Sequence, residues 1–218
     1  MKGLLVKDFK LMKLQKNFFL LILVIAIGMI VFTNDVTFPL AFLIFIVSLF
    51  TLSTVSYDEF DNGNAFLFTL PITRTSYVME KYCLGLLAGC GTWIFATILG
   101  MIATVFKGTL TITDLIMIAL LILPIMIVIQ AIMLPFQLKF GGEKGRIAMI
   151  GAFGILAIIG IMVVKGAKAI FNVDIVNVFN TLPTVSMGMA VIFAIIIALA
   201  ILLVSMKISI SIMNKKEL

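Results

Sequence analysis

The chain contains no histidine. That excludes Ser–His–Asp hydrolase triads, histidine-ligated haem and the usual zinc sites. Charge is also scarce. Only 12% of the 218 residues are Asp, Glu, Lys or Arg, about half of what a soluble domain carries. With 63% hydrophobic residues and a mean hydropathy of +1.29, no water-soluble surface can be built, so the class is integral membrane protein. The two cysteines, Cys83 and Cys90, lie in one apolar segment. On a helix they stand about 10 Å apart along the axis, too far for a disulfide. No phosphate-cradling GxxxxGK[ST] loop occurs, and "GGEKGR" (Gly141–Arg146) does not fit that pattern. The apolar runs hold almost no ionisable side chains; Asp114 and Lys139 fall near run ends, where their heads reach water. Ion-driven carriers place charge at membrane depth, so uphill transport here would draw its energy from a partner.

What the chain does have is long apolar runs. Six reach the roughly 20 residues needed to cross a bilayer core: about 18–33, 38–56, 82–106, 112–138, 147–165 and 186–206. They are continuous rather than alternating, which selects helices over a barrel. The first run is not read as a cleaved signal peptide, because no small-x-small site follows "MIVFTNDV" and five more runs come after it. Placing the N-terminus in the cytoplasm puts 13 of the 16 basic residues on that side and leaves Lys107, Lys165 and Lys168 outside. Both termini are then expected inside.

Four further features stand out. "KGLLVKDFKLMKLQKN" (2–17) alternates Leu5, Phe9 and Met12 with lysines, the pattern of an amphipathic helix in the inner interface. Phe171, Ile175, Val178, Phe179 and Leu182 form one apolar helical stripe in the external segment after span 5, a candidate outer lid. Gly85 and Gly89 make a GxxxG pattern in span 3, suited to close helix packing or a dimer seam. Pro124 and Pro135 kink span 4, with the polar Gln130 between them as a candidate path residue.

The most unusual stretch is "SYDEFDNGNAFLFTLPITR" (Ser56–Arg74). It is cytoplasmic by topology, and its carboxylates are repelled by the negative inner leaflet. Tyr57, Phe60, Asn64 and Leu67 share one side of a helix, flanked by Asp58, Glu59 and Asp61. Aromatic anchors bordered by charge suit a protein docking surface; a solvated loop with incidental acids is the plainer reading. A calcium loop fails, since Phe60 occupies a ligand position. Pro71 stops this helix, and Thr73 is placed to cap the next one.

"KGLLVKDF", "SYDEFDNGNAFLFTLPITRTSYVMEKY" and "LPFQLKFGGEKGR" resemble the short six-span permeases of the type-2 ATP-binding-cassette (ABC) transporter family. The subgroup includes permeases similar to those exporting phenol-soluble modulins. The resemblance covers most of the chain and implies one all-α permease domain, 1–218, in a bacterial plasma membrane. It implies a permease pair, a homodimer or a related heterodimer, working with two separate ATPase subunits. Those subunits would bind ATP and magnesium; no cofactor, metal or catalytic residue is expected in this chain, and no nucleic acid partner. The coupling segment would be 57–71, with Tyr57, Asp58, Glu59, Phe60 and Asp61 seated in the ATPase and Phe66, Leu67, Leu70 and Pro71 completing the elbow. Glu143, Lys144 and Arg146 would form a second cytoplasmic contact. The expected activity is export of amphipathic or membrane-active peptides. The alternatives are an ABC exporter of ions, lipids or drugs, a channel or ion-coupled carrier, an intramembrane enzyme, or a membrane anchor that binds a cytoplasmic partner without transport.

Overall fold

The computed structural model describes residues 2–33, 35–60, 63–141 and 187–216, with isolated helical positions at 145, 147, 151 and 154. Every regular element among the described residues is a helix. The order is α1 (Lys2–Leu14), α2 (Lys16–Phe32), α3 (Thr37–Glu59), α4 (Gly63–Leu67), α5 (Arg74–Lys107), α6 (Ile112–Phe140) and α7 (Met187–Lys215).

Four of these, α3, α5, α6 and α7, are long and apolar enough to cross a membrane; α1 and α2, bent by 62°, supply a fifth if they are taken as one span. The apolar runs expected as spans 2, 3, 4 and 6 fall on α3, α5, α6 and α7, and the first run falls on α2, which reaches span length only together with α1. The helices overrun the apolar runs at one end, because polar first and last turns still close hydrogen bonds once the apolar core has nucleated them. The fifth expected span, 147–165, lies outside the described residues apart from positions 147, 151 and 154, as does the candidate lid of Phe171, Ile175, Val178, Phe179 and Leu182.

Local chemistry sets the helix ends. The Thr73 hydroxyl accepts a hydrogen bond from the Ser76 amide at 3.1 Å and starts α5, as expected. Thr111 does the same for α6 through Asp114. Gly108, in the left-handed region at φ 62°, closes α5. Two cations sit on the carbonyl ends of neighbouring helices, where the helix dipole favours them. Lys107 donates to the carbonyls of Val31 and Thr33 after α2, and Arg74 donates to Met213 and Asn214 in α7.

The glycine pattern of α5 works within the chain. A Cβ at Gly85 would lie 1.5 Å from Gln130 Nε2, and one at Gly89 would lie 2.4 Å from Met126 Sδ. The pattern is therefore spent on seating α5 against α6, with Thr51 and Ser48 of α3 beside it. Gln130 is buried there, and nothing among the described residues hydrogen-bonds to its amide. One proline of α6 is matched by a neighbour. Pro135 cannot donate to the Ala131 carbonyl. The Ser205 hydroxyl of α7 donates to that carbonyl instead, and Tyr82 of α5 bonds both Ser205 (2.6 Å) and Ser209 (2.8 Å). Trp93 Nε1 donates to Ala119 O at 2.7 Å, one residue before the carbonyl that Pro124 leaves free.

Candidate functional site

α1, the C-terminus of α3, α4, the N-terminus of α5 and the C-termini of α6 and α7 gather at one end of the bundle. Lys81 is at its centre and is fully buried. Its ammonium has three donors, and all three are used: Asp8 Oδ2 at 2.5 Å, Asp58 Oδ2 at 2.7 Å and Thr54 Oγ1 at 3.1 Å. Lys7 adds a second cation, 3.1 Å from Asp8 Oδ1 and paired with Asp58 Oδ1. The Tyr77 hydroxyl donates to Asp58 Oδ2 at 3.2 Å. Helices α1, α3 and α5 are thus riveted by charge, and Gln15 reinforces the joint by donating to the Tyr57 hydroxyl at 2.6 Å.

Glu80 completes the cluster in a different way. It is fully buried, Lys81 Nζ stands 3.7 Å from its Oε2, and nothing among the described residues donates a hydrogen bond to either carboxylate oxygen. Three carboxylates, Asp8, Asp58 and Glu80, therefore face two ammonium groups.

The segment from Tyr57 to Pro71 is not one helix. α3 continues through Glu59, Phe60 turns extended (φ −62°, ψ 137°), and α4 is only five residues long. The expected shared face is split as a result. Asn64 and Leu67 turn inward and are buried, whereas Tyr57 and Phe60 are exposed. The carboxylates also behave differently from the sequence expectation of a charged rim. Asp58 is consumed by Lys7 and Lys81, and Glu59 pairs with Lys216 at 2.7 Å, tying α3 to the end of α7. Lys216 also donates to Leu138 O of α6. Among the described residues of the segment the large exposed side chains are mainly apolar: Phe60 and Phe66 are each 72% exposed, with Tyr57, Leu70 and Pro71 exposed around them. A recess of about 280 Å³ lined by Ser53, Ser56, Tyr57 and Phe60 adjoins this patch. Asp61, Glu143, Lys144 and Arg146 lie outside the described residues.

Sequence reasoning placed ionisable groups in water and so missed the buried roles of Asp8, Glu80 and Lys81. One signal was available. Asp8 is the lone carboxylate in a leader with five lysines, and it falls four residues after Leu4, on the face that α1 turns inward. Pro124, Gln130 and Pro135 all lie in α6, with Pro124 and Gln130 buried within the bundle.

This arrangement of long apolar helices, with ionisable side chains gathered at the helix ends, defines a multi-pass helical membrane protein. The model of the ABC-2 family transporter proteins matches residues 3–214, and the chain belongs to that family. Its members are membrane components of transporters that work with an ABC ATPase subunit. No curated relative and no solved structure matches the chain.

Proposed function

We propose that this chain is the permease subunit of an ATP-driven exporter. A separate ATPase seats on the patch formed by Tyr57, Phe60, Phe66, Leu70 and Pro71. Family membership supports the transporter class and the ATPase partnership. The observation that carries the docking surface is the contrast within one segment: Asp58 is buried and paired inside the protein, while Tyr57, Phe60 and Phe66 are exposed. Covering a large apolar side chain contributes roughly 1.5–3 kcal/mol, so Phe60 and Phe66 suit the anchors of a protein interface. In this reading Asp58 and Glu59 hold the patch to the bundle rather than contacting the ATPase. Movement of the ATPase would pull the α3–α4 elbow, and the Asp58–Lys81 joint would pass that pull to α5.

The patch faces the cytoplasm in this proposal. Lys2, Lys7, Lys10, Lys13, Lys16, Arg74, Lys139, Lys215 and Lys216 all belong to the same end of the bundle, in keeping with the positive-inside rule. Pairing of Lys216 with Leu138 and of Ser205 with Ala131 makes α6 and α7 parallel neighbours. Parallel α6 and α7 support the reading of six crossings with both termini inside. Two permease copies with two ATPases, in a bacterial plasma membrane, complete the arrangement. The cargo proposed is amphipathic or membrane-active peptide, with ions, lipids or drugs as the alternative.

The buried charges give one specific argument for a second reading, an ion-coupled carrier. Against it, all three ammonium donors of Lys81 are engaged, and the cluster lies at the helix ends rather than at mid-depth.

The test is reconstitution of the full chain in lipid vesicles with a candidate ABC ATPase. The proposal predicts a stable complex and ATPase activity stimulated by the permease. An active single-component protein whose transport follows an ion gradient and ignores ATP overturns it.

A further inference from the structure

A groove of about 610 Å³ runs between α6 and α7. Its walls are apolar: Ile132, Phe136 and Phe140 from α6, and Ala200, Val204 and Ile208 from α7. These residues recur at i, i+4, i+8, so the groove follows one ridge of each helix. From Ala200 to Ile212 it covers about 18 Å of helix, close to the depth of one leaflet of a roughly 30 Å hydrocarbon core. At its end it meets a second cavity of about 460 Å³, and the two share Lys139, Ile208 and Ile212. That second cavity is basic, lined also by Ser211, Lys215 and Lys216.

An apolar slot one leaflet deep that opens onto lysines matches one kind of molecule. We propose that the α6–α7 groove binds an anionic phospholipid, with one acyl chain between the helices and the phosphate beside Lys139 and Lys215. Lys216 contributes less charge because Glu59 pairs with it. Lys139 lies with its ammonium 5.1 Å from the Phe140 ring centroid, so the cation stands directly over the apolar wall. Pro135, whose missing amide leaves the Ala131 carbonyl to the Ser205 hydroxyl, lies in the groove wall. This inference does not depend on the exporter reading.

The test is native mass spectrometry of the full chain, released from detergent holding equal dioleoyl phosphatidylglycerol and dioleoyl phosphatidylcholine. The expected result is preferential retention of the anionic lipid. Lys139→Gln and Lys215→Gln should each cut that preference about five-fold, as expected for one lysine at an anionic headgroup. Ala200→Trp, which fills the slot, should lower retention of both lipids. A Lys2→Gln/Lys10→Gln control on α1 should leave the preference intact. Equal retention of the two lipids by the unmodified chain overturns the proposal. So does a preference that survives the double change at 139 and 215, or one that the control abolishes. Unchanged retention in Ala200→Trp also overturns it, because the slot is then filled by residues 147–165 or by a second copy of the chain.

Discussion

The Lys81 ammonium lies 2.7 Å from the Asp58 carboxylate, with both groups buried where α1, α3 and α5 meet. Burying such a pair gains little over an apolar pair, but removing one partner strands the other and costs about 3–5 kcal/mol. Lys81→Met should therefore lower thermal stability sharply, since Asp8 and Asp58 would both lose their main cation. Asp8→Asn/Asp58→Asn/Lys81→Met should recover much of the loss. Thermal melting of the purified variants in detergent checks this; a triple variant no better than the single one would refute the joint.

Glu80 makes the opposite prediction. Its carboxylate is buried without a hydrogen-bond donor among the described residues, and it is the third carboxylate beside the two ammonium groups of Lys7 and Lys81. Glu80→Gln removes that excess charge and supplies an amide that can donate to Asp8. A gain of about 1 kcal/mol is expected, which is a rise of roughly 2–4 °C in Tm for a chain of this size. A fall in Tm would mean that Glu80 is needed as a charge.

Gly85 is a close-packed position. A Cβ there would stand 1.5 Å from Gln130 Nε2, so Gly85→Ala must push α5 from α6 or displace Gln130. A loss of about 1–3 kcal/mol is expected, the usual cost of overpacking. Gly85→Ala combined with Gln130→Ala should recover most of it. Equal melting of the two variants would show that the contact is not tight.

Ser205 and Pro135 should be coupled. Ser205→Ala leaves the Ala131 carbonyl without its donor, at a cost of about 1–3 kcal/mol. In a Pro135→Ala background the backbone amide of residue 135 can take that role, so Ser205→Ala should cost less. A double-mutant cycle measures the difference; additive costs would contradict the exchange.

Much of this architecture was legible in the sequence. Uninterrupted apolar runs can only be satisfied as helices in lipid, which is why α3, α5, α6 and α7 fell where the runs did. Thr73 was legible as a cap because its hydroxyl is three residues ahead of Ser76. The candidate site was harder to read. Tyr57, Phe60, Asn64 and Leu67 share a face only if one helix contains them all, and the break at Phe60 is a tertiary outcome. Asp58 and Lys81 are 23 positions apart, and nothing near either of them announces that α1 brings Asp8 to the same ammonium. A charge looks solvated in a sequence until the chain that buries it is placed.

The central claim is that the exposed aromatic patch, rather than the acidic residues beside it, is where an ATPase seats. Phe60→Ser/Phe66→Ser tests it most directly, since both side chains are exposed and neither supports the bundle. Co-purification with the partner ATPase should fall to background in this variant, while its melting temperature stays that of the unmodified chain. Undiminished assembly and ATPase stimulation in the double variant would contradict the account.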